Sequence, residues 1–477
     1  MPSFRAKSKA QSARISRTNV TEETLTARAG MALFSRYLAA TGLPAYLATL
    51  FASLRKSGKG IALADLFKQL LCFFFDGTSR HLTFFDELKQ KAGYAAAIET
   101  RLEEMASSHQ VKRLLAKFTI GHRNVFRCVL RELFRWRLRQ QQPEVVVLGL
   151  DTTVLENTYA RAREGVSWTY KQTPGFQPLH LSLEALISWG SLIIDGSLRA
   201  GRTSGNRGRL PGQMIRSAAK VVRAVLGEET PIIVRMDAGF FDQKLFRELE
   251  EAGIFYVTAG RCYPDVKTMA DSLGPEEFTL YSNGKARWRW AEWFNCRSTW
   301  RTFRRLIYLE TEREQEGQQV FAFARRPSVL YTNLSSYWVR RSSACREALQ
   351  PYLEGEAIVR LYHGRGADEL VHRALKDFGS RELPLKRFEA NTAVYYLLLI
   401  SFFLMETFKE DVARGVVPTE SYARRLRRTL IDMAGKIVRS GRQVILRVTT
   451  SVWNGLNWQR LWQRAAEPPD FAPAYLR

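Results

Sequence analysis

What this sequence lacks narrows its chemistry first. Its five Cys (Cys72, Cys128, Cys262, Cys296 and Cys345) stand far apart without a C-x-x-C, and its six His show no zinc spacing. That excludes a disulfide scaffold and a structural zinc module, and a reduced, cytoplasmic setting is expected. No apolar signal core heads the chain, because MPSFRAKSKAQSAR is basic and polar. The longest apolar run, residues 393–405, is broken by Ser401 and is too short to span a bilayer, so a buried helix and no membrane partner are expected. Acidic charge is also short: 47 Asp and Glu face 72 Lys and Arg, a net charge of +25. Arginine is spread along the whole chain. Such a surplus favours a polyanionic partner, with a basic enzyme that binds no nucleic acid as the plainer alternative.

What is present divides the chain by periodicity. The first twenty residues carry five cations and no acid, and read as a basic arm. From Thr21, a plausible N-cap followed by Glu22 and Glu23, the pattern to about Gln142 is helical. LADLFKQLLCFFFDG predicts a core helix closed near Gly77. HRNVFRCVLRELFRWRLRQ places Arg123, Arg127, Arg131, Arg135 and Arg139 four apart, either a solvated face or a stripe for DNA phosphates. At Pro143 the period changes. EVVVLGLD and TPIIVRMDAGF are apolar runs that each end in a carboxylate, as buried strands do. Between them lie a hairpin pattern broken at Gly190 and Ser191 and a helix framed by Pro and Gly. Another helix and the strand IFYVTAG follow. This order predicts a mixed sheet with helices on its faces. Residues 261–344 then read as antiparallel strands with four Trp in thirteen residues, an inserted β-rich lobe. A Pro384 breaker, the apolar helix and a basic tail with a last strand pattern, GRQVILRVTTSVW, complete the chain.

Two carboxylates stand out because they end strands. Asp151 and Asp237 meet at one sheet edge if their strands are neighbours, the edge where α/β sites form. Asp195 reads as a structural turn residue and Asp242 as a helix N-cap. A third carboxylate, Glu369, lies in YHGRGADELVHRALK, where Tyr362, Arg365, Glu369 and Lys376 follow at steps of three, four and seven. Such steps share one helix face. Gly364 and Gly366 disfavour regular helix there, so Tyr362 and Arg365 can lie in the approach to the helix instead. Converging carboxylates are hard oxygen donors that suit Mg²⁺ or Mn²⁺.

Those four residues resemble the Y-x2-R-x3-E-x6-K box of bacterial insertion-sequence transposases of the DDE class. DTTV at Asp151 resembles that family's first-aspartate strand and MDAGFF at Asp237 its second. YTNL at Tyr331 and LPLKRFEANTAVYYLLLISFFL resemble the segments around the box. The similarity covers roughly residues 145–407, with all parts in the same order. The resemblance implies an α/β fold: a ribonuclease-H-like mixed sheet flanked by helices, with a β-rich insertion before the glutamate. It implies that Asp151, Asp237 and Glu369 hold two Mg²⁺, for which Mn²⁺ can substitute. The implied reaction is cut-and-paste transposition. Water nicks the element end, and the freed 3′-hydroxyl then attacks target DNA. Arg365 and Lys376 would hold phosphates and Tyr362 the backbone or a displaced base. Trp300 or Trp293 would stack on a flipped base. The implied partners are double-stranded DNA, as terminal inverted repeats and target, and a second copy in a synaptic homodimer at the nucleoid. The expected segments are a helical DNA-binding region with its arm (1–143), a catalytic core in two parts (144–260 and 345–410), the insertion (261–344) and a basic C-terminal region for DNA-end or dimer contacts (411–477). A Mg²⁺-dependent structure-specific nuclease without strand transfer is the rival. A non-catalytic DNA-binding relative is a third reading, disfavoured because all three acidic positions are intact.

Overall fold

The computed structural model describes residues 15, 17–184, 191–203, 208–282, 287–300, 302–315, 318–321, 327–379, 382–471 and 473. Most of the expected basic arm and the expected turn at Gly190 lie outside these residues. The helix expected from Thr21 is not formed. Strand β1 (Thr24–Thr26) stands there instead. Thr-Leu-Thr suits an extended backbone, and its partner strand comes from the other end of the chain. The helices then run as expected: α1 (Met31–Thr41), α2 (Leu43–Leu50), α3 (Leu63–Asp76), α4 (Phe84–Leu88), α5 (Ala92–Ala97), α6 (Ser108–Leu115) and α7 (His122–Gln141). α3 stops on Gly77, whose φ of 62° is the left-handed C-cap that glycine adopts without strain.

After Pro143 the chain enters the sheet as β2 (Val146–Thr152) and leaves it briefly for β3 (Leu155–Glu156), β4 (Ser167–Trp168) and β5 (Pro174–Phe176), a separate three-stranded patch. The antiparallel pair β6 (Leu179–Glu184) and β7 (Ser191–Ser197) follows, then α8 (Leu210–Leu226), β8 (Ile232–Met236), α9 (Gln243–Glu251) and β9 (Phe255–Gly260). Asp242 caps α9, its carboxylate accepting the Leu245 amide at 2.9 Å. The expected insertion contributes α10 (Pro264–Asp271), β10 (Thr279–Ser282), β11 (Arg287–Asn295), β12 (Arg304–Gln315), β13 (Gln318–Phe321) and β14 (Ser328–Thr332). These strands do not form a lobe of their own. β14 pairs with β9, so the main sheet runs β10–β11–β12–β14–β9–β8–β2–β6–β7 with β13 on β12, ten strands among the described residues. The edge of β9 is an open row of backbone donors and acceptors, and β14 closes it.

β2 pairs parallel with β8, and β8 with β9; β6 and β7 are antiparallel. This is the mixed sheet expected of a ribonuclease-H-like core. Side chains alternate between its faces. Val147, Ile233 and Val257 pack under the short helices α11 (Ser336–Val339), α12 (Arg346–Leu349) and α13 (Gly355–His363). Leu148, Leu150, Val234 and Met236 pack in the larger core, which α14 (Gly366–Phe378) and α15 (Phe388–Asp411) share. α15 is longer than the run of apolar residues suggested. At 24 residues it is long and apolar enough to cross a membrane, yet it is buried against α3, α7 and β7. The tail forms α16 (Ala423–Leu426), β15 (Gly435–Ser440), β16 (Gln443–Arg447), α17 (Thr450–Gly455) and α18 (Trp458–Ala466). β15 pairs with β1, and α18 packs on α1, so the two ends of the described chain are one body.

Candidate active site

β2 and β8 are adjacent, with Leu150 opposite Met236 in the parallel register. The next residue in each chain is the aspartate. Both apolar runs stop where the sheet meets solvent, so Asp151 and Asp237 emerge side by side at the carboxyl edge. Each is held by a local amide. Thr152 N–H donates to Asp151 Oδ1 at 2.8 Å, and Gly239 N–H donates to Asp237 Oδ1 at 2.9 Å.

The box residues arrive from two helices. α13 ends at His363, the chain turns at Gly364 and Arg365, and α14 starts at Gly366. Tyr362 and Arg365 thus lie in the approach, and Glu369 near the start of α14. The Arg365 guanidinium reaches both aspartates: Nη2 is 3.2 Å from Asp151 Oδ1 and 3.7 Å from Asp237 Oδ2. Tyr362 is half-buried beside Arg365, and burial pushes its phenol up. Glu369 is exposed. Among the described residues no group of three His, Cys, Asp or Glu is close enough to hold a metal ion. The structure therefore brings Asp151 and Asp237 together, and among the described residues Glu369 completes no three-carboxylate cluster with them, although the charges of all three reach Tyr170. Lys376 is half-buried further along α14, and its positive charge helps hold the His180 imidazole down.

Burial and neighbours drive the two carboxyls apart. Burial pushes Asp151 up, but the His372 ring and the Arg365 guanidinium outweigh it and hold this carboxyl below the usual range. Burial pushes Asp237 up too. The Asp151 charge adds to that, Arg365 opposes it, and the carboxyl ends above the usual range. Two hard oxygen donors that already share one cation fit a divalent ion in their donor chemistry.

Three further residues, His372, His180 and Tyr170, belong to the site. His372 Nε2 lies 3.4 Å from Asp151 Oδ2. Its Nδ1 is 3.2 Å from Nδ1 of His180, and the two rings stack at 5.0 Å. His180 sits on β6 opposite Asp151 in the antiparallel register. Tyr170 feels the charges of Asp151, Asp237 and Glu369. His372 was findable, because it follows Glu369 by three residues on the same helix face. His180 needed the strand register, which no local pattern supplies.

Other expected site residues are engaged elsewhere. Arg127 donates to Asp195 through Nε at 3.0 Å and Nη2 at 2.6 Å, with both side chains nearly buried. Asp195 is structural as expected, but within a strand and not in a turn. Arg123 is ion-paired with Glu389 at the start of α15. Arg131 contacts Cys128, and Arg135 pairs with Glu132. The reading of this stripe as a phosphate-binding face is thereby corrected at Arg123 and Arg127. Their charges fasten α7 to the sheet, where nearly buried Asp195 demands a partner, and to half-buried Glu389 of α15. Trp300 is also corrected as a stacking residue. It is 7% exposed, edge-on to Tyr331 at 5.7 Å and under the Arg304 guanidinium. Trp293 is half-buried, its ring 6.3 Å from Tyr308.

The model of a family described as "Transposase DDE domain group 1" matches residues 8–465. No curated protein matches the chain. Among solved structures, a cryo-EM structure of a piggyBac transposase synaptic complex with hairpin DNA aligns at 13% identity with a TM-score of 0.39, covering 96% of this chain and 86% of that one.

Proposed function

This chain belongs to the DDE transposases of group 1, proteins of DNA transposition, and on that premise we propose that it cuts the ends of an insertion sequence and joins their 3′-hydroxyls to target DNA. The observation that carries the reading is the single guanidinium of Arg365 spanning Asp151 and Asp237 at adjacent strand ends. Asp151, Asp237 and Glu369 are the residues that would hold two divalent ions, Mg²⁺ or in its place Mn²⁺. Such ions, when bound, supply Lewis acidity and a water of lowered pKa for phosphodiester cleavage.

The chain's own residues do the rest. Arg365 grips a phosphate beside the carboxylates with two parallel hydrogen bonds. Tyr362 packs against that guanidinium and keeps it aimed. Lys376 adds a positive charge further along the strand. His372 and His180 keep the Asp151 carboxylate oriented by filling the space behind it. The partners in this proposal are double-stranded DNA, as element ends and target, and a second copy in the synaptic complex. The segments 1–143, 144–260 with 345–410, 261–344 and 411–477 would serve as end-binding region, split catalytic core, insertion and terminal contact region. The setting would be the cytoplasm, at the nucleoid.

The test is incubation with Mg²⁺ and the DNA that flanks the gene in its host, a target plasmid, and mapping of cut and joined products. The expected result is nicking at defined ends and joined plasmid, with Asp151→Asn, Asp237→Asn and Glu369→Gln each abolishing cleavage and leaving end binding nearly intact. Cleavage without joined product would make the chain a nuclease. Near-normal cleavage by any one variant removes that residue from the metal-binding set.

A further inference from the structure

The helix that delivers the box, α13, rests on a tryptophan-bearing strand of the insertion. Trp288, Trp290 and Glu292 alternate along β11 and so share one face of the sheet, the face that α13 covers. The start of α13 sits on Trp290 and Glu292. A Cβ on buried Gly355 would lie 2.4 Å from the Trp290 ring and 2.6 Å from a Glu292 carboxylate oxygen. The end of α13 sits on Trp288, whose ring lies 4.4 Å from the His363 imidazole. Tyr281 is the cross-strand partner of Trp288 on β10. It stacks on Trp288 at 5.3 Å and on His363 at 5.8 Å, so three flat rings meet at this point. The lengths agree as well. The nine residues of α13 span about 12 Å from first to last, and residues 288–292 of a strand span about 13 Å.

The position of the end of α13 is passed to Arg365 through the backbone. Gly364 N–H donates to Arg360 O at 2.9 Å, and Arg365 N–H donates to Tyr362 O at 3.0 Å. His363 and Arg365 therefore belong to one hydrogen-bonded turn. The Arg365 guanidinium stands 3.2 Å from Asp151 and 3.7 Å from Asp237, and contacts of that length weaken steeply with displacement. The aspartates end β2 and β8, and β9, β14 and β12 lie between β8 and the strand of Trp288. The ring stack thus reaches the carboxylates by way of α13 and its joint.

We propose that Trp288, backed by Tyr281, is a positioning residue for Arg365: it seats His363 and so fixes the joint from which the guanidinium reaches both carboxylates. The proposal rests on the transposase reading for the reaction it serves, and its test follows the joint and the reaction separately. Full-length variants are incubated with Mg²⁺ and the element ends, and hydrogen exchange is followed in the peptide covering residues 355–366. Trp288→Ala should speed exchange there and slow end cleavage roughly ten- to a hundredfold, while end binding stays at the parent value. Trp288→Phe, which keeps a flat ring for His363, should restore both. The loss should also depend on Arg365. In an Arg365→Lys chain, Trp288→Ala should slow cleavage much less than in the parent, because residues that act through one another are not additive. A tryptophan that only supports the fold would slow cleavage by the same factor in both backgrounds. That equal factor overturns the proposal, as does unchanged exchange or unchanged cleavage in Trp288→Ala. Absence of end cleavage by the unmutated chain, with exchange still faster in Trp288→Ala, sinks the transposase reading and leaves the seating of the joint on Trp288 standing.

Discussion

Arg365 neutralises two carboxylates with one planar cation, and lysine has no second donor arm with which to copy that span. Arg365→Lys should keep the fold and lose one charge-assisted contact at the reacting phosphate, roughly 1.5–3 kcal/mol, or about ten- to a hundredfold in rate. Strand cleavage and joining measured beside a thermal melt decide it. Full activity in both Arg365→Lys and Arg365→Ala would remove this residue from the site. His180 carries a prediction about stability instead. Burial pushes its imidazole well below the ordinary value, helped by the charges of His372 and Lys376 and opposed by Asp151. The folded chain keeps it neutral, while the unfolded chain takes up a proton as pH falls below about 6.5. The stability it contributes is therefore present above that pH and lost below it, by up to about 1.4 kcal/mol per pH unit. His180→Gln should show a shallower fall in melting temperature between pH 7 and pH 5 than the parent. Equal slopes would place the acid sensitivity elsewhere.

At the scale of elements, the joint between α13 and α14 decides where the box points. Arg235, on β8 two residues before Asp237, is fully buried and donates to Leu361 O at 3.1 Å, which ties the end of α13 to the sheet. A Cβ on Gly364 would lie 2.8 Å from Arg235 Nη1, and that buried side chain has little room to give way. At Gly366, two residues later and the first residue of α14, a Cβ would meet nothing within 4 Å. Gly364→Ala should therefore shift Arg365 and reduce cleavage several-fold or more while end binding persists. Gly366→Ala should be close to neutral or slightly stabilising, since alanine is the better helix former. Kinetic assays of the two variants side by side give the answer. Equal behaviour would show that close packing at the joint does not set the site.

The whole molecule uses its 72 Lys and Arg in two different ways, and 25 of them exceed the acidic residues. Some cations are fasteners, as Arg127 is for Asp195 between α7 and the sheet. The remaining surplus is available to a polyanion. DNA binding should weaken with salt, each neutralised phosphate adding about −0.9 to the log–log slope. Arg127→Ala should leave that slope unchanged and lower the melting temperature, because removing one partner of a nearly buried pair costs about 3–5 kcal/mol. A flattened slope with an unchanged melt would return Arg127 to the DNA surface.

The parts legible in the sequence are those set by local rules. An apolar run must end where it leaves the core, so Asp151 and Asp237 could be placed at strand ends. The Gly77 stop of α3 and the Asp242 cap of α9 follow from the backbone chemistry of those residues. The two-part box was legible through the weak helix propensity of Gly364 and Gly366. What tertiary structure decided is the partner of each charge and ring. Arg127 and Trp300 have the same local pattern whether they face DNA or the core, and only the packing of β7 behind α7, and of Tyr331 beside Trp300, selects the core. Thr24–Thr26 becomes a strand because β15, some four hundred residues on, supplies its hydrogen bonds. His180 joins the site because antiparallel register sets it opposite Asp151. Hydrogen-bond pairing and desolvation act between residues distant in the chain, so a single sequence read by spacing carries the elements and the strand-end carboxylates but not the contacts that orient them.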